Sequence, residues 1–458
     1  MSKRIFPHLA VIIFFVIAIF VDFNHHPWTS KDVLRYDRFG YHNYLPALFI
    51  YNDITKYNFI DNIEKLYPST NGEQKRYGLH QVEKTGNLCN QYPIGVAVFQ
   101  APLFLVAHLW ATVSGRDISD GYSAAYQHSV VLSTLLFATL GLLILSRFLR
   151  KYFSDVVVFF TILLIAFGTN FFHYATLESG MAHIYQFFLY SSILYLTYQW
   201  YRQPAFKTSA LIGICTGLAI ITRPTDLLIC IIPLSWASTM PGKWDFIRQN
   251  MKYVWLIVLF TFLFCLPQIL YWKYVTGDWV YYSYNGGDYF RFDRLRIIQG
   301  LFSYRKGWFV YTPLALLAFI YMWGVRKDSA FYSYKKTFWI FFISMIYLVF
   351  SWNNWFYGWS YGCRALLGTL PLLAIPLALM VQDIATSKLL RKLIAVTGVI
   401  FITFLNLFQT WQYEHYILHG ALMNESTYWA LFLKTEKPPD FDKNFKLQEE
   451  LDWNTGGF

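Results

Sequence analysis

Long apolar runs alternate with short polar stretches along the whole chain. The runs "HLAVIIFFVIAIFV", "VVVFFTILLIAFG" and "VWLIVLFTFLFCL" contain no Asp, Glu, Lys or Arg. About 20 mostly apolar residues in a helix cross a bilayer. The runs are continuous, whereas the strands of a membrane β-barrel alternate apolar and polar positions. The pattern therefore predicts an all-α polytopic membrane protein. A first span ends near Phe23, and further spans fall near 125–146, 156–172, 181–200, 208–222, 226–239, 253–272, 309–325, 336–352, 364–381 and 393–411. That is about eleven transmembrane helices.

The polar stretches orient these spans. "MSKR", "SRFLRKYF", "YRQPAFK", "PGKWDFIRQNMK", "VRKDSAFYSYKK" and "SKLLRK" are basic and belong in the cytoplasm. The block 92–113 is apolar enough to span, but a crossing there would place Arg147, Arg150 and Lys151 outside. It is read as a re-entrant or juxtamembrane segment in a long first extracytoplasmic loop, 24–124. The other large loops, 273–308 and 352–363, fall on the same side. A transmembrane domain, 1–411, is followed by an extracytoplasmic tail, 412–458. The first run ends in "DFNHHPW" rather than at a small-residue cleavage site, so it reads as an uncleaved span.

Composition agrees with this class: of 458 residues 56% are hydrophobic and 14% charged, against about 25% in soluble domains. The formal charge of +11 is spread over the loops between spans and forms no continuous basic face, which argues against nucleic acid as a partner. Of the five cysteines, Cys215, Cys230 and Cys265 lie in apolar runs; Cys89 and Cys363 lie in outer loops, where their pairing is open. No cysteine or histidine spacing matches a metal site.

Chemistry is sought in the polar groups at span ends. "SKDVLRYDRFGYHNYLPALFIYND" places Asp32, Arg35, Asp37 and His42 beside the first span. A carboxylate there can take a proton from a hydroxyl; the plain alternative is a solvated loop acid. Gly40 would permit a tight turn after Asp37. In "GTNFFHYATLESGMAHIYQFF", Glu178 stands between two spans with His173 and His183 nearby, and an acid so placed is a functional candidate. In "AIITRPTDLLI", Arg223 and Asp226 flank a proline break; Arg223 suits a phosphate, an Asp226 pair or lipid headgroups. The loop "YSYNGGDYFRFDRLRIIQGLFSYRKGWFVYTP" carries Arg291, Arg294, Arg296, Arg305 and Lys306 on the side where basic residues are scarce. An anionic ligand explains that excess, because guanidinium forks match phosphate oxygens. "SWNNWFYGWSYGCRALLGTLPLLAIPL" offers aromatic rings including Tyr361, with Arg364 at the start of a span. The rings suit a sugar or a simple interfacial belt.

These features together resemble the GT-C superfamily of integral membrane glycosyltransferases, which includes protein O-mannosyltransferases and the bacterial lipid A aminoarabinose transferase. A bacterial branch with "D..GYY.YLPAL" early and "W..W.YG.SYG.R.L…LP" late is nearest; here the motifs read "DRFGYHNYLPAL" and "WNNWFYGWSYGCRALLGTLP". The resemblance covers about 1–380. It implies a bacterial inner-membrane enzyme that moves a hexosyl or pentosyl group from a polyprenyl-phosphate donor to a lipid, glycan or protein acceptor at the extracytoplasmic face. It maps the catalytic acid to Asp37 as general base, with inversion at the anomeric carbon. Many members carry two adjacent acids where this chain has Asp32 and Asp37. Glu178 is a second catalytic candidate, and Asp32, His42, His183, Arg223, Arg305, Lys306, Tyr361 and Arg364 are substrate-binding candidates. No cofactor is required and no metal ligands are assigned, although the chemistry has room for a divalent ion. A secondary transporter or flippase and a lipid-linked polysaccharide polymerase or ligase stand as rival readings.

Overall fold

A computed structural model describes residues 6–27, 33–68, 78–284, 287–439 and 441. Among them, α1 (Phe6–His25) is followed by the short helices α2 (Asp37–His42), α3 (Tyr44–Phe49) and α4 (Ile60–Leu66). A small hairpin, β1 (Leu79–Gln81) and β2 (Leu88–Asn90), leads into α5 (Gly95–Ser114), α6 (Ala124–Leu149), α7 (Asp155–Phe167), α8 (Phe171–Ala175), α9 (Ala182–Arg202) and α10 (Phe206–Thr222). After a 3₁₀ turn, Pro224–Cys230, come α11 (Ile231–Ser235), α12 (Lys243–Gln249), α13 (Met251–Thr276), α14 (Ile297–Phe302), α15 (Trp308–Tyr311), α16 (Pro313–Gly324) and α17 (Tyr332–Val349). A second 3₁₀ turn, Arg364–Thr369, opens α18 (Leu370–Thr386), and α19 (Leu389–Glu414) and α20 (Glu425–Leu431) complete the described chain.

Among the described residues, six helices are long and apolar enough to cross a membrane: α1, α5, α6, α13, α18 with its leading 3₁₀ turn, and α19. They fit an all-α membrane protein. Some other apolar runs give shorter helices, such as α7 with 13 residues and α16 with 12, while the run 181–200 forms the 21-residue α9. The run 226–239 breaks into the 3₁₀ turn and the five-residue α11. Pro224 and Pro233 lack the N–H that a continuous helix needs.

The main core joins α1, α6, α7, α9, α16, α17 and α18, with Phe14, Leu142, Ile162, Tyr190, Phe342 and Leu373 fully buried. The α18 segment is the axis of this body, 83% of its apolar window being inside the protein, against 6% for α13. Helix α13 is fastened along one seam. Gly213 and Gly217 of α10 let its backbone come close: a Cβ on Gly213 would stand 2.5 Å from the Ile257 carbonyl, and one on Gly217 2.7 Å from that of Thr261. Small residues four apart are a usual way for helices to approach in lipid. Beyond α10 the hairpin takes over the contact: Thr85 Oγ1 and Asn87 Nδ2 donate to the Val275 carbonyl at 2.8 and 3.0 Å, and the Tyr271 hydroxyl accepts from Asn90 N at 2.8 Å.

Helix α5 begins where Gly95 lies against Thr222 at the end of α10. Downstream of its other end, the Gly121 carbonyl pairs with the ring of His42 in α2 at 2.7 Å. Its middle packs beside the first turns of α6, with the His108 ring 2.6 Å from the Tyr126 hydroxyl. Helix α5 thus runs beside the first half of α6, with Phe99 O accepting from Ser133 Oγ at 3.3 Å, and it is itself long and apolar enough to cross a membrane.

The segment after α19 is part of the packed structure. A capping box at Asn424 and Thr427 starts α20, and Tyr428 and Leu431 pack against Tyr311, Tyr361 and Tyr413. The two cysteines whose pairing was open, Cys89 and Cys363, are separate buried thiols.

Candidate functional site

The site is built around Asp37, the first residue of α2. Gly40 is not a turn residue, as the sequence suggested. It lies within α2, and the ring of Tyr92 occupies the place a Cβ would take. That contact sets the Tyr92 hydroxyl 2.7 Å from Asp37 Oδ1, to which it donates. Asp37 Oδ2 is ion-paired with Arg364 Nη2 at 3.1 Å, and both side chains are mostly buried. Arg364 heads the 3₁₀ turn before α18, just after Gly362, whose φ of 59° is the left-handed conformation that favours glycine. The first loop and the late aromatic motif therefore meet in one ion pair.

Three further cations stand near it. Arg223 donates to the Ala365 carbonyl at 3.0 Å and lies over the Tyr357 ring at 5.3 Å. It makes no ion pair with Asp226 within 4 Å. Asp226 instead accepts from Gln186 and from the Tyr190 hydroxyl, and Gln186 also bonds the His183 ring at 3.1 Å. Lys306 is buried and donates from Nζ to the Ser360 carbonyl. Burial and then the Arg364 charge hold its ammonium well below the usual range, with Glu178 acting in the opposite direction. Arg38 flanks the turn that carries Glu178, its Cγ 3.5 Å from where a Cβ on Gly180 would sit.

Glu178 lies in the turn between α8 and α9. Burial pushes its carboxyl up, but the neighbouring His173, with Arg38 and Arg364, outweighs this and holds it at about 2. Oε1 accepts from the Tyr413 hydroxyl at 3.1 Å. His173 Nε2 is 3.6 Å from Oε2, and His173 Nδ1 is 3.6 Å from Glu414 at the end of α19. The spacing of Glu178 from its two histidines left their faces undecided; the structure sets His173 against the acid and His183 against Gln186.

Some sequence candidates lie elsewhere. His42 is buried between Phe104 and Tyr122 with its Nε2 on Gly121, so it packs the first loop and meets no ligand space. Burial draws its imidazole down to about 4. Arg305 turns toward the C-terminal segment: Nε donates to the Ala421 carbonyl at 2.7 Å, and the guanidinium lies 3.8 Å from the Phe356 ring centre. Its planar fork is used for stacking and a carbonyl, not for the Asp37–Arg364 centre. Tyr361 is a buried wall residue, its hydroxyl on the Asn406 carbonyl at 3.1 Å and its N–H on the Tyr174 hydroxyl at 3.1 Å. Asp32 lies outside the described residues. Arg291 and Arg294 pair with Asp293 on the surface.

Sequence reasoning did not assign roles to Tyr92, Arg38, Tyr413 and Glu414. Tyr92 precedes a proline in an ordinary loop pattern, and Tyr413 and Glu414 merely end an apolar helix, so nothing local marks them. Among the described residues, no group of three or more His, Cys, Asp or Glu side chains is arranged to hold a metal ion. No protein-family model matches the chain, nor does any curated protein or solved structure.

Chemically, the site sets guanidinium and ammonium groups around two carboxylates at the edge of the apolar core. Arg364 and Arg223 can hold an anion, whose charge would restore the ammonium of Lys306, with the carboxylates of Asp37 and Glu178 close by.

Proposed function

We propose that the protein is a GT-C-like membrane glycosyltransferase that moves a sugar from a polyprenyl-phosphate donor to an acceptor hydroxyl. The observation that supports this most is the Asp37–Arg364 pair, because it joins the two motifs that carry the family resemblance at one buried point. The donor phosphate replaces Asp37 on Arg364, with Arg223 adding positive charge and Lys306, whose ammonium burial disfavours, taking up its proton beside the phosphate. Released from Arg364, Asp37 takes the proton from the acceptor oxygen as that oxygen bonds to the anomeric carbon. The bond from that carbon to the phosphate oxygen breaks, and its electron pair leaves with the phosphate. Attack from the opposite side inverts the anomeric carbon. Cationic groups already oriented toward the leaving phosphate stabilise the charge that grows on it. They can do so without a metal.

In this reading about eleven spans carry the site, the shorter helices among them crossing in company. The site faces the exterior of a bacterial inner membrane, and α2, α3 and α5 lie along the outer leaflet as juxtamembrane helices. The acceptor is a lipid, a glycan or a protein, oriented by Glu178.

The test uses purified protein in nanodiscs with a panel of radiolabelled polyprenyl-phosphate sugars and an extract of envelope lipids and glycans as acceptors. Saturable donor binding by the wild type, with transfer lost in Asp37→Asn and binding lost in Arg364→Ala, is expected. Binding of no lipid-linked sugar, or undiminished transfer by Asp37→Asn, overturns it.

A further inference from the structure

Each round of the proposed transfer takes one proton from the acceptor. The carboxylate that receives it must lose it before the next round. Asp37 has Tyr92 and Arg364 as its partners, and a guanidinium does not pass protons on. Glu178 is different. One of its oxygens faces His173 Nε2 at 3.6 Å. On the other side of the same ring, Nδ1 faces Glu414 Oε1 at 3.6 Å. Glu414 Oε2 then faces His25 Nε2 at 3.4 Å. His173 is fully buried, and neither ring nitrogen has a hydrogen-bond partner inside 3.5 Å. His25, the last residue of α1, has a side chain 35% exposed.

Carboxylate, imidazole, carboxylate and imidazole thus form a line from the site to the surface, across the Glu178 turn, α8, α19 and α1. An imidazole can accept a proton at one nitrogen and release one from the other. An i-to-i+1 pair on α19 serves both ends of Glu178's surroundings: Tyr413 donates to Oε1, and Glu414 stands behind His173. The other ionisable groups around this line are Arg38, Arg364 and Lys306 near Glu178, and His26 beside His25. Asp22 lies one α1 turn before His26, next to Ser179 of the same turn. The four groups are in a row and form no metal shell.

We propose that Glu178, His173, Glu414 and His25 are the proton outlet of the site. This rests on the transferase reading above. The proton taken by Asp37 reaches Glu178 through the water that refills the pocket after product leaves. Glu178 gives it to His173 Nε2 while the Nδ1 proton passes to Glu414, and Glu414 hands it to His25 and solvent. No bond other than O–H and N–H changes, and the charge of each group is restored at the end of the passage.

Rapid-mixing kinetics separate this role from a structural one. With the donor and acceptor that turn over, Glu414→Gln should give a first turnover equal to that of the wild type. Its later turnovers should be slower by about tenfold or more, because glutamine takes up no proton. Added imidazole buffer should restore them, and Glu414→Asp should retain them. Equal loss of first and later turnovers, or no rescue by imidazole, overturns the outlet while the transferase reading stands. A first turnover retained by Asp37→Asn overturns the transferase reading instead. A second measurement needs no substrate: in protein labelled with ¹⁵N-histidine, the Nδ1 proton of His173 should exchange with solvent about tenfold more slowly in Glu414→Gln. Unchanged exchange also overturns the outlet.

Discussion

Replacing Asp37 by Asn should make the protein bind its donor more tightly while it stops transferring sugar. In the structure Arg364 is engaged by Asp37 at 3.1 Å, with side chains only 16% and 18% exposed. An incoming phosphate has to displace that carboxylate. Full Coulomb energy at this distance is about 5 kcal/mol for an effective dielectric of about 20, an upper bound. The net worth of a hydrogen bond to a charged group is about 1.5–3 kcal/mol. Asparagine keeps the shape and the contact with Tyr92 but withdraws the competing charge. Donor affinity should therefore rise by about ten- to a hundredfold, at about 1.4 kcal/mol per factor of ten. The assay is equilibrium binding of a labelled polyprenyl-phosphate sugar to nanodisc-embedded protein, at one salt concentration, for wild type, Asp37→Asn, Arg364→Gln and the double variant. Arg364→Gln should lose affinity whether or not Asp37 is present. Unchanged or weaker binding by Asp37→Asn would show that phosphate and Asp37 do not share Arg364, and the proposed exchange of partners would be wrong.

Three other outcomes are expected. His42 is buried as the neutral ring, its pKa drawn down from 6.5 to about 4, so the unfolded chain binds the proton more readily. Its contribution is complete above pH 6.5 and is lost as pH falls toward 4, amounting to about 3 kcal/mol; His42→Gln should flatten chemical-denaturation stability across that window, and an unchanged slope would contradict it. Arg305→Ala should leave donor affinity within about twofold but loosen the segment after α19 by about 1.5–3 kcal/mol, seen as faster proteolysis there. Gly40→Ala should drive the Tyr92 ring off Asp37, cost about 1–3 kcal/mol in thermal unfolding and reduce transfer although no ligand group has been removed.

Much of the helical class was readable in the sequence because charge-free runs admit few other structures. The candidate site was readable in part for the same reason: Asp37, Glu178, Arg223 and Arg364 interrupt apolar surroundings where a charge has a cost. Their pairing was not readable. Asp37 might have met any outer arginine, and only the three-dimensional path of the first loop chooses Arg364 over Arg305. Position alone treated neighbouring Arg305 and Lys306 alike, whereas the first stacks on Phe356 and the second is buried on Ser360. Tyr92 and Glu414 carry no signal at all, since a tyrosine in a loop and a glutamate ending a helix are ordinary. Gly40 was singled out correctly but for the wrong reason, close approach rather than a turn. The 226–239 run shows the opposite failure, because hydropathy averages over prolines that the backbone cannot ignore.

The seam that fastens α13 also bears on how this sequence can drift over generations. Only 6% of that helix's apolar window is inside the protein, and a position facing lipid accepts any apolar side chain of moderate size. The two glycines of α10 that face it have no such latitude, since a Cβ on Gly213 or Gly217 would stand 2.5 or 2.7 Å from α13 carbonyls and part the helices. Substitutions should therefore accumulate freely on the exposed sides of α13 and stop at the two glycines of α10. A membrane protein of this design can change nearly all of a helix's letters and still inherit, unaltered, the stripe that holds it.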